Sequence, residues 1–340
     1  MRAARLRAYG EPPAVEEVPE PVIAGPDDVI VRVGATGLCR TDLHVIDGVF
    51  ESISAPLPYT LGHETAGWVQ DVGSADLGFA PGDPVIVHPY VTCGRCAPCR
   101  AGSDQLCERF QFAGAMVDGG FADCLRTSSR SLVKLDASTT PVQAAGLADG
   151  GLAAYRAVKR SVPHLPPGSS AVVLGAGGLG HIAIQLLRAM TAARVIAVDR
   201  SEAALDLAAD LGASTVVMAD GGQVAAVRAG AGGHGASVVL DFVGDGTTPA
   251  DGLAMLDRGG CYVAVGYGGR LEVDTSELVV RELTVTGSLV GTIRELAELV
   301  ALSAASKVTV TTQLYPLADI GIAMADLRAG KVRGRAVIVP

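Results

Sequence analysis

Apolar residues recur along this chain in three textures. Over residues 1–90 they alternate with polar ones or form short runs between Gly and Pro, most clearly in Val29-Ile-Val-Arg-Val33 and Asp83-Pro-Val-Ile-Val87. Such runs bounded by turn residues predict β-strands, so a compact all-β unit is expected here. Residues 141–160 change to helical spacing, with Pro141 at a first helical position and Leu147 and Leu152 on the apolar stripe. From 171 a strand, a glycine-rich turn, a helix, a strand, a helix and a strand follow in alternation, which predicts a parallel sheet covered by helices. Near 288 the alternation stops. A helix pattern from Ile293 to Leu302 and a last strand, Ala336-Val-Ile-Val339, complete the chain, with no internal repeat or low-complexity tract.

Composition narrows this picture. The 340 residues exceed the ~250–300 at which a single core stops growing, so two domains are expected. The chain is 49% hydrophobic with 43 glycines, which suits a packed α/β enzyme rather than a disordered chain. Its net charge of −9, with no basic tract, argues against nucleic-acid binding. The best apolar run, 171–190, is broken by glycines, His181, Gln185 and Arg188, so no membrane span is expected. Met1-Arg-Ala-Ala-Arg-Leu-Arg7 is basic but no apolar core follows, which does not make a signal peptide. A soluble, cytoplasmic protein is the expectation, in a reducing compartment where clustered cysteines usually bind metal.

Cys93, Cys96, Cys99 and Cys107 form such a cluster. Four thiolates match the tetrahedral shell of Zn²⁺, with two-residue gaps aiming neighbouring sulfurs at one point and the longer gap returning the fourth. Two disulfides are the competing reading, but they would close very small rings.

Ala171-Val-Val-Leu174 reads as a short buried strand followed at once by Gly175-Ala-Gly177-Gly178-Leu179-Gly180 and an apolar helix. In a dinucleotide-binding loop Gly175 makes the tight turn, Gly177 admits the pyrophosphate and Gly180 lets helix pack on strand. The helix N-terminus offers free N–H groups to phosphate. Arg194-Val-Ile-Ala-Val198 is the next strand, with Asp199 at its end. A carboxylate there accepts from ribose hydroxyls and repels a 2′-phosphate, favouring NAD over NADP. Asp199 capping a helix near Ser201 is the alternative, and Arg200, able to stack on adenine or pair with a phosphate, complicates the choice. Two more strand ends, Val238–Gly244 and Tyr262–Gly266, set Phe242, Val243, Val265 and Gly266 on the nicotinamide side of the same sheet edge, or simply in its core.

The remaining ligand-type residues are quiet ones: Cys39 in Gly37-Leu-Cys39-Arg40-Thr41-Asp42-Leu-His44, His63-Glu64 in Leu61-Gly62-His63-Glu64-Thr65-Ala-Gly67, and Asp149. Read alone, Cys39 is equally a small buried hydrophobe. Taken in order, however, Cys39-x-Thr41-Asp42-x-His44, Gly62-His63-Glu64-x-x-Gly67, the Cys-x₂-Cys-x₂-Cys-x₇-Cys cluster and the dinucleotide loop resemble the zinc-containing medium-chain alcohol dehydrogenases over nearly the whole chain. Asp149, in Leu147-Ala148-Asp149-Gly-Gly-Leu-Ala-Ala-Tyr155, is similar to one branch of them, the bacterial NAD-dependent secondary and aryl alcohol dehydrogenases.

That resemblance implies a partly opened GroES-like β-barrel catalytic domain, 1–150 and 288–340, with a structural zinc lobe at 93–107. It implies a Rossmann NAD-binding domain at 151–287. It also implies two zincs per subunit. Cys39, His63 and Asp149 would hold the catalytic one, Asp149 standing where many members have Cys, and the four clustered cysteines the structural one. Glu64 resembles an acid behind the metal that approaches it during exchange. The implied reaction is hydride transfer between NAD and a secondary or aryl alcohol bound as alkoxide, with Thr41, the cofactor ribose and His44 carrying the proton. Arg40 and Arg335 match arginines that approach the pyrophosphate. Polyols, amino alcohols or aldehydes are alternative substrates, and a nucleotide-binding relative without catalysis is a further alternative. A homo-oligomer is implied, a tetramer more than a dimer, joined through strands near 283–289. Loops around Phe50 and Met116 are expected near the substrate.

Overall fold

The computed structural model describes residues 1–74 and 78–340. The chain divides into two units: Met1–Leu152 with Thr292–Ala304 and Val310–Pro340, and Ala153–Gly291 with Ala305–Thr309.

The first unit is mainly antiparallel. Its large sheet runs in the order Leu132–Lys134, Pro84–Val87, Glu64–Val72, Asp28–Leu38, Arg335–Val339 and Thr312–Pro316, with Cys124–Ser128 also pairing to Asp28–Leu38. A smaller sheet joins Ala14–Glu17, Arg2–Leu6 and Tyr59–Thr60. Among the described residues no pairing closes the large sheet into a ring, which agrees with the expected partly open barrel. Val29, Val31, Val33, Val69, Val85, Val87 and Leu125 fill one core of this unit. Trp68 packs rather than recognises: its strand partner Arg32 lays a guanidinium 4.4 Å from the ring centre.

Where helical spacing predicted one element over 141–160, the structure has two. Thr140 caps a short turn, Pro141–Ala144, whose first residue is Pro141, and a second helix, Gly150–Ser161, follows after a tighter turn at Ala145–Leu147. Gly146, Gly150 and Gly151 weaken any continuous helix here. The break falls at Asp149, which turns inward at 8% exposure.

The second unit carries a six-stranded, all-parallel sheet in the order Thr215–Met218, Arg194–Asp199, Ser170–Leu174, Ala236–Asp241, Leu256–Ala264, Thr284–Gly287. All five residues of Ser170–Leu174 are buried, as a strand covered on both faces requires. The order reverses between Ser170–Leu174 and Ala236–Asp241, and ligands of open α/β sheets lie in the crevice at that switch point, beyond the carboxyl ends of the strands. Among the described residues no helix is long and apolar enough to cross a membrane.

Candidate functional site

Cys39, His63, Glu64 and Asp149 meet inside the first unit: one ligand atom from each lies within 4.8 Å of all the others, and all four side chains are buried. They arrive from different elements. Cys39 ends the Asp28–Leu38 strand and starts the helix Arg40–Ile46, His63 and Glu64 open the strand Glu64–Val72, and Asp149 precedes Gly150–Ser161.

Asp42 is the neighbour that sequence reasoning left without a task. It is fully buried; its Oδ2 accepts the Cys39 N–H at 2.8 Å, and its Oδ1 lies 3.2 Å from His63 Nδ1. With Nδ1 beside that carboxylate, Nε2 faces Asp149, whose Oδ2 is 3.4 Å away. A carboxylate placed on the far nitrogen in this way is how a histidine that binds metal is commonly oriented. The signal for it was a carboxylate three residues past Cys39, where a helix's first turn brings it back to the start.

Burial pushes the His63 imidazole down, but the surrounding Asp42, Asp149 and Cys39 raise it well above its ordinary value. Asp149 is pushed up by burial and pulled below the usual carboxylate range by His63. Both are signs of a cluster that attracts positive charge. His63 Nε2 and Asp149 Oδ1 are buried without a hydrogen-bond partner, which is costly unless something else satisfies them. One sulfur, one imidazole nitrogen and carboxylate oxygens at this spacing are a donor set that zinc accepts. The residues fit the metal.

Glu64 is held from behind. Its carboxylate receives Arg335 Nε at 2.8 Å and Arg335 Nη2, and the Gly150 N–H at 2.8 Å. Arg335 is 4% exposed and gives Nε and Nη2 to Glu64. Arg40 instead is exposed on the first turn of its helix. Thr41 and His44 lie three residues apart on that helix, hence on one side of it, both half-buried.

The Cys93, Cys96, Cys99 and Cys107 ligand atoms also lie within 4.8 Å of one another. All are free thiols, and Cys96 and Cys107 sulfurs are 3.9 Å apart, well outside the ~2.05 Å of a disulfide. Backbone N–H groups of Arg95 and Cys96, with Arg109, lower Cys93 to about 5. Burial and the neighbouring Cys96 and Cys107 push Cys99 up to about 12. Thiolates gathered this closely repel one another until a cation joins them. The lobe is tied down at Asp104, whose Oδ2 accepts the Ile293 N–H at 3.1 Å at the start of the helix Ile293–Ala304.

In the second unit Gly175 takes a φ of +87°, and a Cβ on Gly180 would sit 1.9 Å from the Gly175 oxygen, so both glycines are required by the protein itself. Gly177 is different: a Cβ there would meet nothing within 4 Å. The space beside it is open, and Gly178 and Leu179 complete the turn into the helix Gly180–Met190. Asp199 Oδ2 accepts the Ala176 N–H at 2.8 Å and its Oδ1 the Ser201 N–H at 2.9 Å. The cap of the following helix is Ser201, whose hydroxyl accepts from Ala204. Asp199 therefore braces the glycine loop, and each oxygen keeps a further lone pair for a ribose hydroxyl. Arg200 beside it is exposed. Phe242 and Val243 follow the Ala236–Asp241 strand and Val265 and Gly266 follow Leu256–Ala264, all at the sheet's carboxyl edge.

Comparison with known proteins agrees with this anatomy. Residues 25–137 match the family model described as alcohol dehydrogenase GroES-like domain, and residues 178–305 that described as zinc-binding dehydrogenase. The chain is 34% identical, over 100% of both chains, to an NAD-dependent alcohol dehydrogenase of Sulfurisphaera tokodaii. It is 35% identical to a D-arabinose 1-dehydrogenase (NADP(+)) of Saccharolobus solfataricus, over 100% of this chain and 97% of that one. Among solved structures, an alcohol dehydrogenase of Aeropyrum pernix superposes with a TM-score of 0.97 at 44% identity, each chain fully covered. With a barrel-like unit, a parallel-sheet unit and a matched relative over its entire length, this chain belongs to the zinc-containing medium-chain alcohol dehydrogenase family.

Proposed function

We propose that this chain interconverts secondary or aryl alcohols and their ketones with NAD, using a zinc held by Cys39, His63 and Asp149 with Glu64 close behind. The observation that carries this reading is the buried cluster with its two unpartnered ligand atoms. Zinc held there would supply Lewis-acid stabilisation to the substrate oxygen, and NAD would supply the hydride chemistry. The protein's own tasks are then divided. Asp42 keeps His63 Nε2 turned to the metal position, Arg335 fixes Glu64, and Thr41 and His44 offer hydroxyl and imidazole for carrying the proton along one helix side. A histidine suits the outer end because its ordinary pKa is near neutral.

Phe112 supports a bulky apolar substrate: its ring centre is 4.9 Å from that of His63, and Tyr90 packs on it at 5.4 Å. Phe50 lies half-buried in the same unit, packed on its second core. A second zinc in the four-cysteine lobe follows from its donor set. Assembly as a homo-oligomer, a tetramer by preference, is supported by the edge strand Thr284–Gly287, near which Val279, Val280, Val285 and Leu289 stand exposed.

Two results are expected. Purified protein should carry two zincs per chain by elemental analysis and reduce NAD with secondary and aryl alcohols in preference to primary ones. One zinc, or no turnover across the panel, would overturn the reading. Asp199→Gly should shift the NAD-to-NADP ratio of kcat/KM towards NADP by about tenfold or more, the worth of one good hydrogen bond and a relieved charge repulsion. An unchanged ratio would remove Asp199 from the ribose.

A further inference from the structure

Asp241 ends the fourth strand of the parallel sheet. It is fully buried, and no Lys, Arg or His donates to it among the described residues. Both oxygens of its carboxylate are nonetheless hydrogen-bonded. Oδ1 accepts the N–H groups of Val243 at 2.9 Å and Gly244 at 2.8 Å, and Oδ2 accepts the Tyr262 hydroxyl at 2.6 Å. Its backbone oxygen accepts from Val265 and Gly266, both at 2.9 Å. One residue thus fastens both strand-end turns, 242–244 and 265–266.

The two turns also touch each other. A Cβ on Gly244 would sit 2.1 Å from the Gly266 oxygen, and Gly269 N–H bonds the Gly244 oxygen at 2.8 Å. On its other side the 242–244 turn meets the glycine loop, where a Cβ on Gly175 would come 2.7 Å from Val243 Cγ2. The phenol that completes the clamp has no freedom. Tyr262 is 1% exposed, and its ring lies so close to the helix Thr248–Met255 that a Cβ on Gly252 would come within 2.6 Å of Cε2. A buried carboxylate with three donors and no cation is an expensive device for holding a turn. These turns lie beside the switch point, on the side away from Asp199.

We infer that Asp241 and Tyr262 are positioning residues: their hydrogen bond fixes the carboxylate that holds the 242–244 turn, which packs on the 265–266 turn to form the surface against which the nicotinamide half of the cofactor docks. The inference rests on the dinucleotide reading above. The clamp acts on one half of the cofactor, while the glycine loop and Asp199 act on the other. Calorimetric titration of NAD and of ADP-ribose, which lacks the nicotinamide ring, separates the halves.

Tyr262→Phe removes only the hydroxyl. It should weaken NAD about tenfold and ADP-ribose clearly less, since the 242–244 turn also touches the glycine loop at Gly175. The isotope effect on kcat with a carbinol-deuterated secondary alcohol should rise as hydride transfer becomes limiting. Asp241→Asn, which keeps the side-chain shape, should act in the same direction. Equal weakening of both ligands, or no change in either beyond a lowered melting temperature, would overturn the inference while leaving the dinucleotide reading standing. Wild-type protein that binds neither ligand would overturn both.

Discussion

Cys39→Ser is expected to lower the zinc content from two to one per chain and kcat/KM at least about a thousandfold, roughly 4 kcal/mol of transition-state stabilisation. A serine hydroxyl is not ionised at neutral pH and cannot stand in for a soft thiolate. The substitution is otherwise mild. Cys39 is 6% exposed, serine is of similar size, and the bond that fixes its position runs from its backbone N–H to Asp42. The helix Arg40–Ile46 should therefore keep its start, and thermal stability should change little. Elemental analysis beside initial rates checks this. Two zincs retained, or activity within tenfold of wild type, would exclude Cys39 as a ligand. Loss of both metals would show that the two sites are not independent.

Arg335→Met should produce the largest loss of stability. Arg335 and Glu64 are a buried pair, and removing one partner leaves a charge without compensation, at a cost of about 3–5 kcal/mol. The guanidinium stays charged although burial pulls against it, because Glu64 and Cys39 surround it. At about 2–4 °C per kcal/mol for a unit of this size, the melting temperature should fall by roughly 6–20 °C. Adding Glu64→Gln should recover much of the fall, since the anion is then gone. A single variant melting within about 2 °C of wild type, or a double variant no better than the single, would show that the pair does not hold this unit together.

These expectations lean on residues of unequal legibility. The glycine loop, its strand and the acid at the next strand's end are close in sequence, so spacing alone announced them, and the parallel sheet followed from the alternation around them. The four cysteines were equally plain. Cys39, His63 and Asp149 were not, because three ligands on separate elements have no common spacing, and only their resemblance to a family frame drew them together. Asp42 stood inside a quoted motif with its task unseen, since its partner His63 is reached through the fold. The bond from Arg335 to Glu64 is invisible in the sequence, because it forms only when the strand Arg335–Val339 lies beside Asp28–Leu38. The Asp241–Tyr262 clamp joins neighbouring parallel strands, whose register a sequence does not print. The single helix expected over 141–160 failed because its glycines were outweighed by apolar periodicity.

The bond from Arg335 to Glu64 spans 271 residues. During synthesis at about 5–20 residues per second, Glu64 waits on the order of tens of seconds for its cation. Throughout that interval the strand Asp28–Leu38 also lacks the neighbour that later pairs with it through Ala336, Val337 and Ile338. All six strands of the parallel sheet are made within the same interval, so that unit can be complete while the first is still open. An exposed strand edge is a template for pairing with another chain. The newborn protein is thus most prone to aggregate in its earliest-made part, and a ribosome stalled late in the message would leave that part both sticky and with Glu64 lacking its buried cation.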